Sequence, residues 1–138
     1  MATPHTSQQS IDAFLQGSPF AVVGASTNRD KYGNKVLRCY QQHDLKVYPI
    51  NPRADEIEGI QCYPDLASLP EALHGISVIT PPKITEAVVE EASQAGIKHI
   101  WMQPGAESPA AVARAKELGI NVIAGGACLL VVLGYSEH

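Results

Sequence analysis

Short β-branched runs alternate along the chain with stretches whose apolar residues recur every three or four positions. Repeated strand–helix units produce that alternation, and it predicts a parallel sheet. Ile11, Phe14 and Leu15 share one face of a first helix, which Thr6 or Ser7 caps and Gly17 ends in a left-handed conformation. Residues 20–23 read as the first buried strand, Val36, Leu37 and Tyr40 set a helix over 34–43, and 46–50 form the second strand. After Gly59, residues 60–63 read as a short third strand. Residues 76–80 are buried-strand material stopped by Pro81 and Pro82, after which Ile84, Val88, Ala92 and Ala95 keep a helical stripe as far as Gly96. A strand over 99–102, a turn at Gln103, Pro104 and Gly105, a helix opened by Ser108 and Pro109 and ended by Gly119, and a strand over 121–124 complete the series. With right-handed crossovers these units give an open, mostly parallel, doubly wound α/β sheet of about five or six strands, helix-covered on both faces.

Such sheets bind ligands beyond the carboxyl ends of their strands, beside the point where the strand order reverses. That point falls between the first strand and the 76–80 strand. The residues gathered at the strand ends are Gly24, Ala25 and Ser26, then Asn51, Pro52 and Arg53, then Thr80, Pro81 and Pro82, then Gln103 with its turn, and last Gly125 and Gly126. All are small, rigid or hydrogen-bonding. An apolar strand running through Val22 and Val23 into Gly24, Ala25 and Ser26, with a second glycine at Gly33, is a corner over which a diphosphate can lie. Gly24 has no Cβ to hold the backbone off, and the following helix offers free N–H groups. The same corner also serves as a ligand-free tight turn, and the fuller GxGxxG pattern is absent. Lys31 and Arg29 add positive charge to the loop.

The partner of this corner lies about 25 residues on, as a strand–helix–strand unit requires, and it carries no acid. A site for NAD wants an Asp or Glu there for the ribose hydroxyls, whereas Arg53 in a rigid Asn51-Pro52 turn suits an extra phosphate on the ribose. The ligand expected from the residues is therefore a phosphorylated adenosine.

Composition narrows the choice. The chain has 138 residues, 45% of them hydrophobic, which is enough for the core of one domain: residues 1–17 as an N-terminal helix and 18–128 as the core. A formal charge of -4 leaves no large electropositive surface, so nucleic acid is not an expected partner. Cys39, Cys62 and Cys128 lack CxxC spacing and read as reduced thiols of a cytoplasmic protein, with Cys128 buried. No apolar run nears the roughly 18 residues of a membrane span, and no leader is visible at the start. The run 129–133 finishes the core or forms a homodimer contact. The histidines show no paired metal-ligand spacing; His43 and His74 are expected to close helices and His99 to begin a strand. Ser26 does not sit in the Gly-x-Ser-x-Gly setting of a hydrolase nucleophile, and Glu86, Glu90 and Glu91 read as a solvated helix face.

Together, Val23, Gly24, Ala25 and Ser26 with Gly33, the run Tyr48 to Pro52, the 59–63 segment with Leu69 and Pro70, and Val78 to Pro82 carry a family resemblance. Trp101 to Gly105 and Cys128 complete it. The chain resembles the CoA-binding-domain family, small Rossmann-like proteins similar to the amino-terminal domain of the succinyl-CoA synthetase alpha subunit, over about residues 18–128. The resemblance implies a diphosphate over Gly24, Ala25, Ser26 and the loop to Gly33, adenine and its 3′-phosphate by Asn51, Pro52 and Arg53, and a pantetheine arm along Thr80, Pro81 and Pro82. Two departures matter: no acid follows Cys128, so no catalytic or ligand role is assigned to it, and the synthetase's later catalytic domain with its phosphorylated histidine is not expected here, so ligase activity is not expected to carry over. The expectation is a non-catalytic module that binds coenzyme A or an acyl-CoA to sense, carry or present it. The alternatives are an NADP-dependent oxidoreductase, in which Arg53 reads a 2′-phosphate, and a ligand-free interaction domain on the same scaffold.

Overall fold

Phe20 and Val22 join one apolar cluster while Ala21 and Val23 join another, and all four are buried. A strand covered on both sides in this way belongs inside a parallel sheet. The computed structural model describes residues 8–136. Its elements run α1 (Gln8–Leu15), β1 (Phe20–Val23), α2 (Tyr32–Gln42), β2 (Val47–Ile50), β3 (Glu56–Ile57), β4 (Ile60–Gln61) and a 3-10 turn (Leu66–Ser68). They continue through β5 (Gly75–Val78), α3 (Pro82–Gln94), β6 (His99–Met102), α4 (Pro109–Glu117), β7 (Asn121–Ile123) and a short π-helical turn (Leu130–Gly134).

Five strands form one sheet in the order β2-β1-β5-β6-β7, every pair parallel, with Phe20 opposite both Val47 and Gly75. The order reverses between β1 and β5, as expected. Helices α1 and α2 supply Phe14, Val36, Leu37 and Tyr40 to one face, where Phe14 meets Trp101 edge-on at 5.3 Å. Helices α3 and α4 supply Val88, Val89, Ala92, Ala111 and Ala115 to the other. On the central strand, buried Ser77 shares a 2.6 Å hydrogen bond with the Tyr40 hydroxyl, so neither polar group is stranded in the core. No helix among the described residues is long and apolar enough to cross a membrane.

Several local expectations need correction. The third strand does not extend the sheet: β4 pairs antiparallel with β3, an element the sequence pattern did not reveal. Glu58 and Gly59 turn the chain between them with φ of 51° and 79°, the doubly positive conformation of a tight hairpin. The hairpin's link to β2 is a single parallel bridge between Tyr63 and Ile50. Helix α2 begins at Tyr32 and so takes in Gly33, two residues before the start that the apolar spacing predicts. Gly17 is not left-handed; it is needed because a Cβ there would stand 2.1 Å from the His74 ring. His74 closes no helix and instead stacks on His99 at 4.2 Å, whereas His43 does cap α2. The Thr6 or Ser7 cap lies outside the described residues.

Candidate functional site

A cleft of about 690 Å³ opens over the carboxyl ends of β1, β2 and β5, within the size range of about 300–1,000 Å³ typical of small-molecule sites. One wall is the first corner: Gly24, Ala25 and Ser26, then Lys31, Tyr32 and Gly33 at the start of α2. Gly24 has φ of +99°, and a Cβ on it would lie 2.7 Å from the Ile79 carbonyl oxygen. The N-cap of α2 is Lys31, whose side chain makes no capping bond, so no cap side chain competes with an anion for the leading amides of the helix.

Asn51, Pro52 and Arg53 form the opposite wall. The Asn51 amide nitrogen donates to the Ala25 carbonyl at 2.8 Å, and its oxygen accepts from the Arg53 N–H at 2.8 Å. Asn51 thereby ties the two walls together. The Arg53 side chain is exposed on the rim of the cleft. Thr80 lines the third side with Ile79, Ile84 and Val88, and Val23, Ile50, Pro64 and Glu91 complete the lining.

Three of the expected residues stand elsewhere. Pro81 and Pro82 are exposed at the start of α3 and contribute nothing to the lining, whereas Ile84, Val88 and Glu91 further along the same helix do. Gln103 is fully buried, and its carboxamide is used by the protein itself. The Oε1 atom accepts from the Tyr32 hydroxyl at 3.1 Å and the Leu129 N–H at 2.9 Å, and Nε2 donates toward the Ser77 hydroxyl at 3.4 Å. The Tyr32 hydroxyl also contacts the Cys128 thiol at 2.7 Å, and Cys128 is half-buried rather than buried. Burial, reinforced by that thiol, pushes the Tyr32 phenol well above the usual tyrosine range, so it stays protonated.

Lining residues outside those expected from the sequence are Val23, Tyr32, Ile50, Pro64, Ile79, Ile84, Val88 and Glu91. Ile84 and Val88 were legible only as a core stripe, yet Ile84 is 52% exposed. The usable signal was position: a helix that starts immediately after a strand's carboxyl end presents its first two turns to the mouth of the sheet.

A parallel, doubly wound sheet with a glycine corner and a cationic turn facing one cleft defines the class of Rossmann-like α/β domains. Residues 18–134 match the family model described as CoA binding domain, and the chain belongs to that family. It is 36% identical over 80 residues to the ADP-forming acetate–CoA ligase II of Archaeoglobus fulgidus, a match covering 56% of this chain but only 12% of the ligase. The uncharacterized protein YneT of Bacillus subtilis is 28% identical over 118 residues, covering 85% of this chain and 87% of that protein. Among solved structures, a hypothetical protein from Pyrococcus horikoshii superposes with a TM-score of 0.85 at 28% identity, covering 93% of this chain and 89% of its own.

Proposed function

We propose that the cleft binds coenzyme A or an acyl-CoA, and that the chain senses, carries or presents that ligand without chemistry of its own. The observation that carries this reading is that the glycine corner and the Arg53 turn line a single cleft instead of opposite edges of the sheet. In this reading the diphosphate lies over Gly24, Ala25, Ser26 and the start of α2, where backbone amides and Lys31 meet its charge. The adenosine rests on the Asn51-Pro52 turn, and the Arg53 guanidinium takes the 3′-phosphate with two parallel hydrogen bonds. The pantetheine arm leaves past Thr80 along the apolar surface of Ile79, Ile84 and Val88, a path that replaces the one along Pro81 and Pro82. Family membership and the ligase relatives support the choice of CoA over other adenosine phosphates.

Calorimetric titration with CoA, 3′-dephospho-CoA, NADP and NAD tests the proposal. CoA is expected to bind most tightly and dephospho-CoA clearly less so. Tighter binding of NADP than of CoA would transfer the site to a hydride-carrying cofactor, and no binding of any of the four would leave the fold as a scaffold only.

A further inference from the structure

The loop that joins β1 to α2 is fastened from beneath by two buried side chains. We infer that Asn34 and Arg38 are positioning residues, holding residues 26–31 in their phosphate-receiving shape before any ligand arrives; the inference rests on the CoA reading above. Asn34 is fully buried and Arg38 is 5% exposed. The Asn34 amide nitrogen donates to the Ser26 carbonyl at 2.8 Å and to the Glu58 carboxylate at 3.1 Å. Arg38 Nε donates to Asn34 Oδ1 at 2.7 Å, and its terminal nitrogen donates to the Arg29 carbonyl at 2.8 Å. One turn of helix separates the two residues, so both rise from the same face of α2.

Hydrophobic packing does not explain a guanidinium here. Burying a charge is costly unless it is hydrogen-bonded, and an apolar residue of similar volume commonly serves stability as well or better. What the guanidinium supplies is grip on the loop. Drawing the Ser26 carbonyl toward α2 turns the Thr27 N–H of the same trans peptide to the opposite side, outward from the helix. Within the loop, the Ser26 hydroxyl accepts from the Asn28 N–H and the Asn28 side chain accepts from the Asp30 N–H, each at 3.0 Å. The outer surface of the loop is thus set by short-range turns and its inner surface by Asn34 and Arg38. Glu58 joins from the β3–β4 hairpin, its carboxylate 3.4 Å from the Arg29 guanidinium. A loop ordered in advance spares the ligand the entropy of ordering it.

The test compares the wild-type chain with Arg38→Met, Arg38→Lys and Asn34→Ala, using calorimetric titration with CoA and amide hydrogen exchange resolved by residue. In folded Arg38→Met, CoA binding is expected to weaken about tenfold or more, with faster exchange over 26–31 in the free protein and unchanged exchange in β1 and β5. Saturating CoA restores the slow exchange, because the ligand then orders the loop that the side chain no longer holds. Arg38→Lys, which keeps the charge and one hydrogen bond, recovers part of the affinity. Asn34→Ala repeats the loss and serves if Arg38→Met does not fold. Folded variants that bind CoA within twofold of wild type, or whose free 26–31 amides exchange at the wild-type rate, overturn the inference alone. A wild-type chain that ignores CoA overturns the reading beneath it as well.

Discussion

A methyl group placed on Gly33 would stand 2.1 Å from the carbonyl oxygen of Gly24. The obstacle is backbone on both sides, so no side-chain rotation relieves it, and α2 can approach β1 only while residue 33 lacks a Cβ. Gly33→Ala should therefore lower stability by about 1–3 kcal/mol, the usual cost of overpacking, and abolish CoA binding by pushing the helix start away from the corner. Urea unfolding and titration with CoA check the two halves separately. Wild-type stability in the Gly33→Ala variant would mean that the helix start yields easily.

Arg53 stands on the rim with its side chain exposed, free to meet a phosphate without cost to the fold. Wild-type protein should bind 3′-dephospho-CoA about tenfold more weakly than CoA, since a guanidinium–phosphate contact is charge-assisted. In Arg53→Ala that difference should shrink to within twofold while the unfolding midpoint stays put. If the alanine variant discriminates as well as wild type, another group reads the phosphate.

The carboxamide of Gln103 is hydrogen-bonded within the protein at both its oxygen and its nitrogen. Replacing it by Leu leaves the buried Leu129 N–H without its acceptor, which costs about 1–3 kcal/mol, while the Tyr32 hydroxyl keeps only its contact with the Cys128 sulfur. Chemical denaturation should show a loss of that order in Gln103→Leu. A loss of affinity with stability intact would instead make Gln103 a ligand contact.

The stacked histidines give stability a pH dependence. Burial first, and the neighbouring His74 second, hold the His99 imidazole below its ordinary range, and the Asn121 amide donates to His99 Nδ1 at 3.0 Å, the neutral arrangement. The unfolded chain, with a histidine pKa of about 6.5, takes up a proton before the folded one does. The contribution is complete above that pH and is lost as the pH falls through the lowered folded-state value. Thermal midpoints should drop between pH 7.5 and 5, and His99→Gln should flatten the drop; an unchanged slope would assign it elsewhere.

The three thiols should separate by accessibility. Burial pushes the Cys39 thiol up to about 11 and raises that of Cys62, and both side chains are buried, whereas Cys128 is half-buried. At pH 8, iodoacetamide followed by peptide mass analysis should label Cys128 first and reach Cys39 and Cys62 only in denaturant. Labelling of Cys39 at the rate of Cys128 would show that its cover over α2 opens readily.

Element type and order were legible along most of the chain, because the backbone periodicities of strand and helix are imposed locally and leave their mark on successive residues. The strand at His99–Met102 and the proline-headed helices α3 and α4 needed no partner to be read. The strand at 60–61 was read but its pairing with β3 was not, because a strand of two residues is too short to show a period, and the turn between them is built on Glu58, a residue type that rarely takes positive φ. Within the site, Gly24 and Gly33 were legible as requirements of the backbone. The roles of Asn51 and Gln103 were not, since a carboxamide at a strand end looks the same whether it faces a ligand or the protein.

The sequence alone determined that this chain builds a parallel sheet covered on both faces, with a glycine corner after the first strand and an arginine after the second. Those features follow from sterics and burial over a few consecutive residues. Only the tertiary structure decided which polar side chains face the cleft and which serve the protein, because their partners are remote along the chain. Gln103 meets Tyr32 across 71 positions, and Asn34 meets Glu58 across 24. A hydrogen bond forms wherever donor and acceptor come within about 3 Å, and the folding of the whole sheet, with its helices on either side, is what brings them there.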